Sequence, residues 1–318
     1  ATKQVLDDLV SSARERPAEI TCFLSAPFYA SQTRIIKQTR DTPIVVSRRL
    51  VADLINQDLR NFKTADHELI EHKVMQIKLN RYVTNAPYGQ HATEIEISHY
   101  ASVGTERVLN RLRETFTPYL SGRTLVFHSF PFVFFTISRD LLNQHSALLL
   151  DVGGEVTELS LVANEVLWET VSFPFGRNFL LRRLAIELKT VPEEVISALK
   201  IYQRGGHNKL TTERINDALT ECRREWLAAF KQALVALSES HFGSSQLWAV
   251  GDPLILSILL DWIKQTSYDD LLIAQRAFKT SLLNNEILKD PCAERKISLT
   301  TDSHLLLENI FHDRLMSL

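Results

Sequence analysis

Asp151-Val152-Gly153-Gly154-Glu155-Val156-Thr157 joins two β-patterned runs, Ser146–Leu150 and Val156–Val162. A strand, a carboxylate, two glycines and a hydroxyl before the returning strand make a hairpin whose tip can hold phosphate. Backbone amides unshielded by side chains can point at an anion, and Asp151 can order the water shell of a metal. The plainer reading is a tight hairpin in which Gly153 and Gly154 only supply unusual backbone angles.

Outward from this loop the pattern is regular. A third strand, Val166–Phe173, follows an Asn164-Glu165 turn, and the meander ends at Pro174-Phe175-Gly176. A helix carries Phe179, Leu180, Leu184, Ile186 and Leu188, and Pro192 opens another. After Gly205-Gly206 a long helix is expected over Thr212–Ser240, with Trp226 among its core positions. A short buried strand, Gln246–Val250, leads into Gly251-Asp252-Pro253 and an apolar helix, Leu254–Ile263. The tail suggests a strand near Lys296–Leu299 and a last amphipathic helix after Asp302 or Ser303, packed on its own domain or on a partner.

Upstream, residues 20–130 alternate as β-β-α-β-β-α-β. Ile20–Pro27 reads as a buried strand, Thr33–Gln38, Val74–Leu79, Thr93–His99 and Arg123–His128 as further strands, and Asn85–Gly89 as a turn. One helix starts after an N-cap at Ser47, another spans Thr105–Tyr119, a third begins near Pro131, and Val5 to Ala13 marks a helix before them all.

Composition sets bounds. With 318 residues, 45% of them hydrophobic, the chain is globular and long enough for two domains. A net charge of −2 gives no overall pull toward nucleic acid or anionic lipid. Cys22, Cys222 and Cys292 are far apart and lack Cys-x-x-Cys spacing, which fits buried thiols in a reduced compartment and speaks against zinc. The most apolar stretch, Leu125–Ile137, is interrupted by His128, Ser129 and Pro131 and is too short to span a bilayer. The sequence starts at Ala1 rather than Met, so trimming of a longer chain is expected.

The order of these elements resembles the second half of the actin-like ATPases, the group that includes actin, hexokinase and the heat-shock ATPases, and most of all its bacterial FtsA/PilM branch. That family's second phosphate loop, Asp-x-Gly-Gly-Gly-Thr-Thr-Asp, is similar to Asp151–Glu158. Its Pro-x-Gly-Gly turn and helix correspond to Phe173–Arg177, and its adenosine turn, a strand followed by Gly-Gly-Gly, to Trp248–Pro253. Tyr82 with Pro87-Tyr88-Gly89 resembles a tyrosine and turn in the inserted module of this branch.

The resemblance implies an α/β, actin-like (ribonuclease-H-like) two-lobed fold with an inserted small α/β module. The first lobe would run over residues 1–145, N-terminally incomplete, with the module at about 28–122; the second would run over 146–318, with a helical insert at about 177–242. It implies phosphate contacts at Asp151, Gly153, Gly154 and Thr157, adenosine-side contacts at Lys200, Gly251 and Asp252, and Mg²⁺ held through water by Asp151. ATP and Mg²⁺ would be the cofactors.

Several positions depart from the family pattern. Glu155 replaces a glycine that lets the loop approach phosphate, and Asp252 and Pro253 replace two glycines with what is a good helix start in its own right. The ribose-binding Ala-Glu-x-x-Lys reads Ile196-Ser197-Ala198-Leu199-Lys200, so only the lysine remains. The first phosphate hairpin, expected before the helix near Ala1, is absent from this chain. The expectation is therefore a cytoplasmic scaffold in a bacterial membrane-associated machine, for cell division or type IV pilus assembly, with a degenerate or regulatory ATP site. It would reach the inner face of the membrane through protein partners, with self-association also implied. The rival is an active, filament-forming ATPase whose first phosphate loop lies upstream. A sugar or acetate kinase relative would need a substrate carboxylate that no motif supplies.

Other residues favour structural readings. His67 and His72, beside Glu68 and Glu71, suit a solvated surface, and His128 a hydrogen-bonded core position. Arg177, Arg182 and Arg183 suit a solvated helix face, with phosphate or a partner as the alternative. Ser25 and Ser129 lack a Gly-x-Ser-x-Gly elbow.

Overall fold

The structure, a computed structural model, describes residues 2–13, 19–62, 66–120, 125–241, 245–268, 278–288 and 302–316. It divides into two compact units, Ala1–Val133 and Phe134–Leu318.

The first unit opens with helix α1 (Thr2–Ala13). Strand β1 (Ile20–Leu24) pairs in parallel with β6 (Leu125–Ser129). Between them in sequence lies an antiparallel sheet in the order β2 (Ala30–Val45), β5 (His91–Thr105), β3 (His67–Leu79), β4 (Tyr82–Val83). These strands outrun the expected Thr33–Gln38, Val74–Leu79 and Thr93–His99. The ladder is made by backbone groups, whereas apolar alternation is written only where a face is covered. Helix α2 (Arg48–Phe62) supplies that cover, setting Val51, Ile55 and Leu59 against Ile77, Ile95 and Ile97. The Ser47 hydroxyl accepts the Leu50 N–H, the cap that its position suggests. Helix α3 (Glu106–Leu120) packs on β5 and β6, with Leu109 buried.

The solvated surface expected around His67 and His72 is wrong for Glu71. The strand's pleat turns this carboxylate inward, opposite Ser102, and it is buried. Its Oε1 accepts the Ser129 N–H at 2.8 Å and the hydroxyls of Ser129 and Ser102, and its Oε2 lies 2.7 Å from His128 Nδ1. His128 is thus the hydrogen-bonded core residue expected of it.

The second unit is built on a five-stranded sheet in the order β11-β10-β7-β8-β9. Helix α4 (Phe130–Leu142), within which the division between units falls, leads to β7 (Ala147–Val152). The meander continues through β8 (Thr157–Ala163) and β9 (Val166–Phe173). Helices α5 (Arg177–Leu188), α6 (Pro192–Gln203) and α7 (Lys209–His241) follow. Strand β10 (Gln246–Gly251) then returns parallel to β7 and leads into α8 (Pro253–Lys264). Strand β11 (Lys279–Leu282), which the sequence pattern does not reveal, pairs in parallel with β10. Helix α9 (Ser303–Met316) completes the unit. The expected strand at Lys296–Leu299, Arg123 and Cys292 lie outside the described residues.

Leu148, Leu150 and Val152 join Trp226, Phe230 and Leu259 in one apolar cluster, so α7 and α8 cover that face of the sheet. Trp226 is fully buried, as its spacing predicts, and stacks on Phe230 with ring centroids 5.2 Å apart. The alternate residues of β7, Leu149 and Asp151 among them, point to the opposite face. Helix α9 lies there, burying Leu306, Leu307, Ile310 and Phe311 and pairing Arg314 with Asp140 of α4 at 3.1 Å.

Glu71→Ala should destabilise the chain by about 3 kcal/mol, because it strands several buried donors at once. Chemical denaturation of the full chain measures the loss, and faster hydrogen exchange at the Ser129 amide localises it.

Candidate functional site

Parallel pairing of β7 with β10 sets Val152 opposite Gly251, so the loops that leave the two strands emerge side by side. Ligand sites of open α/β sheets form at such carboxyl ends. Here Gly153 and Gly154 from one loop and Gly251, Asp252 and Pro253 from the other line a cavity of about 430 Å³. Arg177 at the start of α5 and Asp302, Ser303 and His304 at the start of α9 complete its wall. A second recess of about 280 Å³ shares Gly251, Pro253 and Ser303 and adds the apolar Leu256, Leu282 and Leu283. Asn285 also lines it, and its buried Oδ1 has no hydrogen-bond partner among the described residues.

Two glycines make this approach possible. At Gly251, with φ at +147°, a Cβ would lie 2.8 Å from the Val152 carbonyl oxygen. At Gly176 it would lie 2.6 Å from the carbonyl oxygens of both Gly153 and Gly154. That second contact shows how the hairpin is held. The Arg177 and Asn178 amides at the start of α5 donate to Gly153 O at 2.9 Å and Gly154 O at 2.8 Å. The Gly153 N–H donates to Val156 O, and the Gly176 N–H to Glu155 O. Glu155 fastens the same junction: Arg182 donates two hydrogen bonds to its carboxylate, each 2.9 Å, and Asn178 a third. The Arg182 guanidinium, with Asn178, holds the Glu155 carboxyl down at about 2.

The remaining sequence-predicted residues fall in different places. Asp252 lines the cavity and caps α8, its Oδ1 accepting the Leu254 and Ile255 N–H groups. Thr157 is buried and gives its hydroxyl to Phe175 O, which also accepts from Trp226 Nε1. Lys200 is exposed on α6 and does not line the cavity. Of the three arginines, Arg177 reaches the cavity, Arg182 holds Glu155, and Arg183 pairs with Glu225 at 2.9 Å.

Asp151 is only 5% exposed, and its Oδ1 lies 2.6 Å from His304 Nε2. Ser303 both accepts from Gly251 N and donates to Gly251 O, each at 3.1 Å. Sequence reading placed a helix after Asp302 or Ser303 but could not link His304 to a carboxylate 153 residues away. Burial opposes the charged form of His304, but Asp151, then Asp302 and Glu308, outweigh it and raise the imidazolium above its ordinary 6.5. Burial pushes the Glu308 carboxyl up to about 7.

These residues do not fit a magnesium triphosphate. The Gly153, Gly176, Arg177 and Asn178 amides are bonded to the hairpin's own carbonyls, and Asp151 already receives a donor. The Asp252 and Asp302 carboxylates face the space a polyphosphate would need. Among the described residues no group of three or more His, Cys, Asp or Glu side chains is arranged to hold a metal ion.

No protein-family model matches the sequence, and no curated protein sequence matches it. Among solved structures, the PilM-PilN type IV pilus biogenesis complex superposes with a TM-score of 0.61 at 13% identity, over 98% of this chain and 83% of that one. ParM of Bacillus thuringiensis with ADP gives 0.37 at 10% identity, over 79% of this chain and 87% of that one. The ethanolamine utilization protein EutJ of Carboxydothermus hydrogenoformans gives 0.36 at 14%, over 53% and 54%. Those last two overlaps are too slight to say anything about this chain. The chain is a mixed α/β protein with the actin-like ATPase fold. More narrowly, nearly the whole chain follows the fold seen in the PilM-PilN complex.

Gly176→Ala should cost about 1–3 kcal/mol by forcing the hairpin off α5, read as a lower midpoint in urea. Both His304 and Glu308 bind a proton more tightly folded than unfolded, so what they contribute is complete at low pH and fades as pH rises. For Glu308 the window runs from 4.5 to about 7, and for His304 from 6.5 through its raised value. Thermal stability should therefore fall as pH climbs from 4.5 through about 7 and on past 6.5 as His304 too gives up its proton. Glu308→Gln should flatten the acidic half of that fall in a melting-temperature series.

Proposed function

We propose that this chain is an actin-like scaffold of a bacterial membrane-associated machine, with a degenerate nucleotide site that does not hydrolyse ATP. The observation that carries the non-hydrolysing part is the 2.6 Å contact of His304 with Asp151, together with the Gly153, Arg177 and Asn178 amides bound to the hairpin's own carbonyls. Residual nucleotide contact would fall to Gly153, Gly154, Gly251 and Asp252, with Thr157 and Lys200 in supporting places away from the cavity wall.

The likeness to PilM over nearly the whole chain supports type IV pilus assembly ahead of cell division. PilM is solved in complex with PilN, so the partner we propose is a protein of the same assembly. Among the described residues no helix is long and apolar enough to cross a membrane. Attachment at the inner face of the membrane through such partners belongs to this proposal.

Calorimetry with ATP and Mg²⁺, paired with a phosphate-release assay, separates scaffold from ATPase. We expect phosphate release no faster than in buffer. Micromolar binding that is lost in Asp151→Ala, together with steady phosphate release, would establish an active ATPase instead.

A further inference from the structure

Asp151 turns toward α9, on the same face of the sheet as the buried Glu158 opposite it on β8, and a hydrated metal would approach it by donating a water O–H to its oxygen. The structure puts a protein group there. His304 Nε2 lies 2.6 Å from Asp151 Oδ1, and since a carboxylate only accepts, the imidazole donates. We propose that His304 stands in place of a metal's bound water at Asp151, so that Asp151 does not recruit a divalent cation to this cavity.

His304 is not a surface side chain that happens to swing near. The first turn of α9 is fixed by its neighbours. Ser303 clasps the backbone of Gly251 through both its N–H and its carbonyl, each at 3.1 Å. Asp302 caps the helix, accepting the His304 N–H at 2.9 Å and the Leu305 N–H at 3.2 Å. Ser303 and Leu306 are buried. The imidazole is thereby delivered to a carboxylate that is itself nearly closed to solvent. The other cavity carboxylates offer little in exchange: Asp252 Oδ1 and Asp302 Oδ1 each already take two amide donors.

This inference rests on the reading of the site as non-hydrolysing, but the two fail differently. Phosphate release tests that reading, whereas this proposal is read from metal binding alone. The experiment is paramagnetic broadening of backbone amide resonances of the full chain by Mn²⁺. In the wild type the Gly153 and Gly251 signals should survive Mn²⁺ additions. In His304→Ala they should be lost, and in Asp151→Asn/His304→Ala they should return. His304→Leu, which fills the space without a donor, serves the same purpose should the alanine variant lose its fold. His304→Gln, whose amide N–H can reach the position of the imidazole Nε2, should behave as the wild type. Broadening in the wild type overturns the proposal, as does a folded His304→Ala or His304→Leu that leaves both signals intact.

Discussion

The register of β7 against β10 is the constraint on which the second unit depends. Val152 and Gly251 sit opposite each other, and the backbones come so close that a methyl group at Gly251 would strike the Val152 carbonyl. Parallel strands leave the sheet at the same end, so two loops a hundred residues apart in sequence become neighbours without any long-range recognition of their own. Everything at the site hangs from this pairing. The cavity is the gap between the two loops, α8 starts from one of them, α5 is bonded to the other through its first amides, and α9 is anchored to the Gly251 backbone.

The residues that depart from the phosphate-binding pattern have structural duties. Glu155 is the acceptor that holds Arg182 and Asn178 to the hairpin. Asp252 and Pro253 make a capped helix start, with the proline in the first turn where its missing N–H costs nothing. A fold of this kind persists because strand register and helix capping do not need the ligand. Loss of close-approach glycines at the phosphate side is compatible with retention of Gly176 and Gly251, since these serve protein against protein.

Much of this architecture was legible in the sequence. The meander, the helix starts at Pro192 and Pro253, and the core role of Trp226 followed from alternation, capping and periodicity, which are local signals. The resemblance carried by Asp151–Glu158, Phe173–Arg177 and Trp248–Pro253 anticipated the actin-like fold that the structure displays. What stayed hidden was non-local. Glu71 looked wetted because an acidic residue beside His72 carries no sign of the Ser129 and His128 partners that another strand brings to it. Strand β11 was missed because Lys-Thr-Ser-Leu is too short and polar to show a period. His304 could not be tied to Asp151, since the site's two closing elements are joined only in three dimensions.

That last separation bears on how the chain is made. At about 5–20 residues per second, a ribosome takes roughly 8 to 30 s to pass from Asp151 to His304, a span of 153 residues. Throughout that interval the central strand already exists while the helix that covers one of its faces does not. Asp151 is then still solvated, and Leu149 lies on the same uncovered face of the sheet. The nascent second unit is therefore an unfinished sheet for most of this time, and after α8 is made it still lacks α9, open to a chaperone or a stray strand until that helix docks.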